Sequence, residues 1–204
     1  MSFIKKNISV TKSVRDYALF CTFKHALRRH PVFASGWAGL VLLNAPEGYL
    51  PKDYGNAVLA ELYPDDDFRR TDAGFMYICV KDKPDKAKGD YEEDCQNKKR
   101  AVIVVEHGAT VPQEVMLGAD IIVDILPISA RDFRAACHVV LGMKVSDEEA
   151  NRVLQYPHNH VWAALRRGRS VSDVIRRLSE VIIQQDCQSA RNVDPLSASN
   201  IHPL

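Results

Sequence analysis

The chain predicts an α/β protein: a parallel, doubly wound sheet of four to five strands followed by a C-terminal, lid-like helical bundle. Three observations predict it. Short apolar runs without polar alternation lie between residues 39 and 125, each followed by a helical or loop pattern. Strands buried on both faces of a parallel sheet read in this way. Beyond residue 129 the strand signal stops, and only helical periodicity with serine caps remains.

The elements follow in order. Residues 11–29 predict a helix, with Thr11 or Ser13 as cap and Val14, Tyr17, Ala18 and Cys21 at helical spacing; His30-Pro31 ends it. Gly39 to Leu43 is a buried strand, and Asn44-Ala45-Pro46-Glu47-Gly48 leaves it as a loop. A helix over about 52–62 carries Ala57, Val58, Ala60, Leu62 and Tyr63, and Pro64 with Asp65-Asp66-Asp67 closes it. The second strand is Gly74 to Val80. Residues 81–100 are charged and polar, and read as a solvated loop with one short helical turn near 90–96. Strand three is Ala101 to Val105, a short helix covers 112–117, and strand four is Ile121 to Ile125.

Helices are then expected at 129–141, ended by Gly142, at 146–154, at 158–166 and from Ser170 onward. Ser146 to Glu149 forms an S-x-x-E capping box. The last helix carries the stripe Val171, Val174, Ile175, Leu178 and Ile182. The predicted organisation is an α/β domain over 1–142, a helical lid-like subdomain over 143–185, and a flexible tail or linker over 186–204.

Composition bounds the function. The 204 residues are 46% hydrophobic and 26% charged, with a formal net charge of +1. No global field therefore draws the molecule to nucleic acid or membrane. No run approaches the roughly 18 apolar residues of a membrane span, and no secretory signal opens the chain, so a cytoplasmic protein is expected. The five cysteines, Cys21, Cys79, Cys95, Cys137 and Cys187, form no C-x-x-C pair. That argues against a disulfide framework or a zinc ribbon. Cys21, Cys79 and Cys137 are expected to be small buried hydrophobes.

Two stretches carry a family resemblance. Gly39-Leu40-Val41-Leu42-Leu43-Asn44-Ala45-Pro46-Glu47-Gly48, with Asn56 to Leu62 downstream, resembles a strand, phosphate loop and helix. Ala101 to Gly108, then Val111-Pro112-Gln113-Glu114, Ala119 to Val123 and Leu126-Pro127, resembles a later sensor strand and turn. In this order of elements, residues 37–183 resemble an AAA-type ATPase module, whose phosphate loop usually reads G-V-L-L-Y-G-P-P-G-T-G-K-T.

The departures from that pattern bear on chemistry. A phosphate loop needs glycines for close backbone approach, a lysine for charge, and Ser or Thr for magnesium. Here Ala45 stands at the first glycine, Gly48 alone matches, and Leu50-Pro51-Lys52 replaces G-K-T. Pro51 removes an N–H donor. Gly48 and Lys52 are thus what remains of a phosphate site. The second strand ends in Val80-Lys81-Asp82 rather than adjacent acids. The resemblance therefore implies a degenerate, non-catalytic module acting in assembly, regulation or partner binding of an ATPase. Its partners would be a catalytic AAA module or further copies of itself, and the chain could be the N-terminal part of a longer ATPase. No cofactor is expected, and ATP is disfavoured.

Other residues keep two alternatives open. Glu106 and His107 end strand three, where open α/β sheets place ligands, and would form the acid–base pair of a small enzyme. Arg166, Arg167 and Arg169, with Arg176 and Arg177, form a basic cluster that a nucleic-acid-binding adaptor or an acidic partner would use. The same arginines could instead pair with Asp147, Glu148, Glu149, Asp173 and Glu180. His158-Asn159-His160 lacks the further ligands a metal needs. There is no G-x-S-x-G or H-E-x-x-H.

Overall fold

The computed structural model describes residues 10–30, 39–62, 73–94 and 98–191. Pro31, Tyr63 to Asp67, Cys95 and the tail from residue 192 lie outside the described residues.

A helix, α1 (Val14–Arg28), precedes the sheet. The strands are β1 (Gly39–Asn44), β2 (Ala73–Ile78), β3 (Arg100–Val105) and β4 (Ile121–Asp124), all parallel, in the order β2-β3-β1-β4. Between them run α2 (Gly55–Leu62), α3 (Pro84–Asp94) and α4 (Gln113–Gly118). The C-terminal helices are α5 (Ala130–Leu141), α6 (Asp147–Leu154), α7 (His158–Ala164) and α8 (Val171–Arg191).

Side-chain alternation along β1 and β3 divides the core. Val41, Leu43, Val102 and Val104 face one layer, built from α1, α2 and the C-terminal helices, with Phe23, Tyr54 and Phe133 among its largest members. Leu40, Leu42, Ala101 and Ile103 face the other, where Ala87 of α3 and Val115 of α4 cover them. β1 and β3 are therefore apolar on both faces because both faces are covered. The edge strands differ: Tyr77 of β2 and Ile122 of β4 are exposed.

Caps set the helix starts. Ser13, Ser129 and Ser146 each accept the N–H three residues on, and at Ser146 the Glu149 carboxylate returns the bond to complete the box. Ser170 does the same for Asp173 N–H at 3.2 Å. Acids, one of them the buried Asp16, lock α1 to its neighbours. Asp16 accepts from Asn56 of α2 at 2.7 Å and pairs with Arg15 at 3.1 Å. Lys24 meets Glu61 at 2.7 Å.

Three expectations are corrected. The segment expected as a loop over 81–100 holds α3, an eleven-residue helix. Pro84 opens it with a preset φ, but among its described side chains only Ala87 and Tyr91 pack on the sheet, too few to show a periodic stripe. Cys79 lies one residue past β2 and is only half-buried, because the strand has already left the ladder; Cys21 is half-buried too, and Cys137 is buried. Finally, α8 continues to Arg191, so the chain from residue 186 begins as helix rather than tail. The side chains of Ile182 and Cys187 lie outside the described residues.

Gly39 starts β1 at φ 133, a region L-residues avoid. A Cβ there would run into the Asp120 carboxylate, whose Oδ2 accepts the Leu40 N–H at 2.7 Å. Gly39→Ala should therefore lower stability by about 1–3 kcal/mol in urea unfolding. A loss below a few tenths would show that this backbone geometry is relaxed.

Candidate functional site

Parallel topology locates the site. The connection leaving β1 crosses over β3 to reach β2 on the α2 face, while the connection leaving β3 crosses over β1 to reach β4 on the α4 face. Adjacent strands whose exits diverge open a crevice at their carboxyl ends, where α/β sheets bind ligands. The register aligns Ile78, Val105, Asn44 and Asp124 at that edge.

A crevice of about 440 Å³ sits there, with Asn44, Glu106, His107 and Asp124 among its polar residues. Asn44 Nδ2 donates to Asp124 Oδ1 at 2.8 Å. Glu106 Oε2 accepts the Val80 N–H at 2.8 Å, and the Glu106 N–H donates to the Ile78 carbonyl. The Glu106 carboxylate thus ties the end of β2 to the end of β3. His107 shares the crevice and is exposed, but no hydrogen bond joins it to Glu106 among the described residues. Cys79 stands beside them. Burial pushes its thiol up, the Glu106 and Asp82 carboxylates add to the rise, and the Lys52 cation opposes it. It is a thiol, not a thiolate, at neutral pH. Asp82 accepts the Cys79 N–H at 2.7 Å and closes a turn.

The loop leaving β1 borders a second, larger cleft of about 600 Å³, walled by α1, this loop and α7. Gly48 turns the loop at φ 79, and Lys52 is exposed within a 3-10 turn, Pro51–Tyr54. Between them Tyr49 points inward and is buried. Its hydroxyl accepts the Ile128 N–H at 2.8 Å, and its ring lies 4.2 Å from that of His158. His158 stacks in turn on Trp162 at 5.9 Å, and Trp162 approaches Phe133 at 6.4 Å. Arg15 overlooks this cleft but is held by Asp53 at 3.1 Å and by Asp16.

Three backbone donors of the loop are committed within the protein, while those of Glu47, Gly48 and Leu50 make no such bond among the described residues. The Ala45 N–H bonds the Val105 carbonyl, Tyr49 N–H bonds Pro46, and Asp53 N–H bonds Leu50. Pro46 and Pro51 have none to offer.

The basic cluster is partly committed to helix ends. Arg167 donates to the Val140 carbonyl of α5 at 3.2 Å, and Arg169 donates to the Ala164 carbonyl of α7. Both satisfy C-terminal carbonyls that lack helical partners. Arg176 pairs with Glu180 at 2.6 Å and with Asp173. Arg166 makes no such bond among the described residues. His158 and His160 stand two apart on α7, so their rings leave the helix on different sides. No cluster of metal-ligating side chains occurs among the described residues.

Sequence reasoning put Glu106 and His107 at the carboxyl end of strand three, and the structure brings both to the crevice there, while Gly48 and Lys52 border the neighbouring cleft instead. It missed Tyr49, Trp162 and the Asn44–Asp124 pair. A large aromatic residue directly after the loop glycine was the available signal for Tyr49.

Neither a family model nor a curated protein matches the chain. Among solved structures, C. elegans PCH-2 is similar over 91% of this chain and 73% of its own, at 7% identity and a TM-score of 0.43. A Thermotoga maritima RuvB structure is similar over 91% and 70%, at 11% identity and a TM-score of 0.36. Likenesses this distant establish no family. No helix among the described residues is long and apolar enough to cross a membrane.

Two outcomes test the cleft. Tyr49→Phe leaves the buried Ile128 N–H without an acceptor and should cost about 1–3 kcal/mol in chemical unfolding. No change would mean that another acceptor takes its place. Burial also holds the His158 imidazole below its ordinary pKa. The unfolded chain then takes up the proton first as pH falls. His158 thus contributes its stability fully above about pH 6.5 and loses it as pH falls through the folded-state value. The fall in melting temperature from pH 7.5 to 5.5 should be smaller in His158→Phe; an equal fall in both proteins would refute the assignment.

Proposed function

We propose that this chain is a non-catalytic AAA-like module that serves assembly, regulation or partner binding of an ATPase. The observation that carries the reading is the loop after β1. It keeps the strand–loop–helix path at the carboxyl edge of a parallel sheet, yet its Tyr49 is buried against His158 and bonded to Ile128 rather than offered to a ligand.

Phosphate binding at such a loop depends on N–H groups converging on one point, with a lysine beside them. Here the Ala45, Tyr49 and Asp53 N–H groups bond within the protein and two residues are prolines, so of the loop's donors only those around Gly48 stay open. Lys52 follows Pro51 in a 3-10 turn rather than standing in the first turn of an α-helix. The carboxyl edge supports the same reading. Its Glu106 carboxylate holds the Val80 N–H through Oε2 and so ties the ends of two strands together, a structural use of the acid. Partners of such a module would be a catalytic AAA chain or further copies of itself.

Calorimetric titration with ATP and magnesium, paired with a phosphate-release assay, tests this reading. The expected outcome is neither turnover nor saturable binding in the micromolar range. Micromolar affinity accompanied by turnover that Lys52→Ala abolishes would overturn it.

A further inference from the structure

The exposed side of α5 carries cations that the architecture does not use. Arg131, Arg134 and His138 stand at i, i+3 and i+7 and share one helical face. Lys144 approaches them from the turn joining α5 to α6. Together with Ala135 and Met143 they line an open groove of about 790 Å³.

The turn beneath the groove is firmly built. The Gly142 and Met143 N–H groups return to the His138 and Cys137 carbonyls, and Val145 is buried. Arg134 Nε donates to the Val145 carbonyl at 2.9 Å, and its Nη1 meets Asp147 at 2.5 Å. Arg134 therefore staples the turn and uses up the one carboxylate lining the groove. Arg131, His138 and Lys144 are exposed and make no side-chain hydrogen bond or ion pair with the described residues.

We propose that this groove docks an acidic segment of a partner protein, a short extended stretch with closely spaced carboxylates. Charge complementarity selects that occupant. With Asp147 consumed by Arg134, the cations of Arg131 and Lys144 remain uncompensated, and two carboxylates would match them. The face from Arg131 to His138 spans about 10 Å of helix, or about three residues of extended chain. Ala135 and Met143 supply an apolar floor for a side chain between the carboxylates. Nucleic acid fits less well. It calls for a long row of cations and for aromatic faces that stack bases, and no aromatic residue lines this groove.

The groove shares no residue with the Tyr49 cleft or the β1–β3 crevice. The inference deepens the partner-binding part of the reading above and rests on it only there. A nucleotide titration can fail while peptide binding succeeds, and the reverse.

Fluorescence anisotropy of the whole chain with a capped, labelled peptide of alternating Glu and Leu tests the proposal, with the Gln-for-Glu peptide as control. The Glu peptide should bind at least about tenfold more tightly than its Gln counterpart. Arg131→Glu with Lys144→Glu should weaken it by about tenfold or more while leaving the melting temperature nearly unchanged, since both side chains are unpaired and exposed. Arg131→Gln with Lys144→Gln should give a smaller loss in the same direction, and it serves if charge reversal disturbs folding. Absent binding, equal affinity for the Gln peptide, or affinity untouched by both variant pairs would overturn the proposal. Tighter binding of a single-stranded oligonucleotide of matched charge would overturn it in favour of nucleic acid.

Discussion

Two adjacent strands without a polar face, β1 and β3, impose the form of the whole molecule. Each must be covered above and below, so the chain has to send helices to both sides of the sheet. Right-handed crossovers satisfy this when the exits of β1 and β3 diverge. The same divergence opens the crevice at their carboxyl ends. The site is thus a by-product of burying Val41, Leu42, Val102 and Ile103, and its place would be the same whatever side chains lined it.

What fills the carboxyl edge decides its chemistry. Polar groups there are largely committed to one another or to backbone: Glu106 to Val80, Asn44 to Asp124, Asp82 to Cys79. Tyr49 makes the same kind of commitment on the other side of the loop, joining β1's exit to the segment entering α5. Its ring continues through His158 and Trp162 to Phe133, linking the sheet to α7 and α5 by stacked side chains. Groups spent in this way stabilise the docking of the helical region on the sheet. They are correspondingly less free to bind a phosphate or move a proton.

The arginines show how context divides one residue type. Arg167 and Arg169 terminate helices, Arg134 staples a turn, and Arg176 pairs along its own helix. Arg131 makes none of these bonds among the described residues. Clustering in the sequence singled out 166, 167 and 169, yet a second cationic surface, lining a groove, lies on α5. Its members come from one face of α5 and the turn that follows it, so no run of charge announces them.

The sequence alone determined the strands, most helix boundaries and the fold class. These follow from local rules: apolar runs, serine caps at 13, 129, 146 and 170, and a glycine at 142. It also showed that Ala45 and Leu50-Pro51-Lys52 stand where a phosphate loop would carry its first glycine and G-K-T. It could not show α3, because among its described side chains Ala87 and Tyr91 alone meet the sheet and its sequence is otherwise mostly charged. Nor could it show that Tyr49 turns inward to Ile128, a contact 79 residues apart, or that Arg131 and Lys144 border one groove. Such pairings depend on how helices and loops dock, and that is set by packing over the entire core rather than by the residues nearby in the chain.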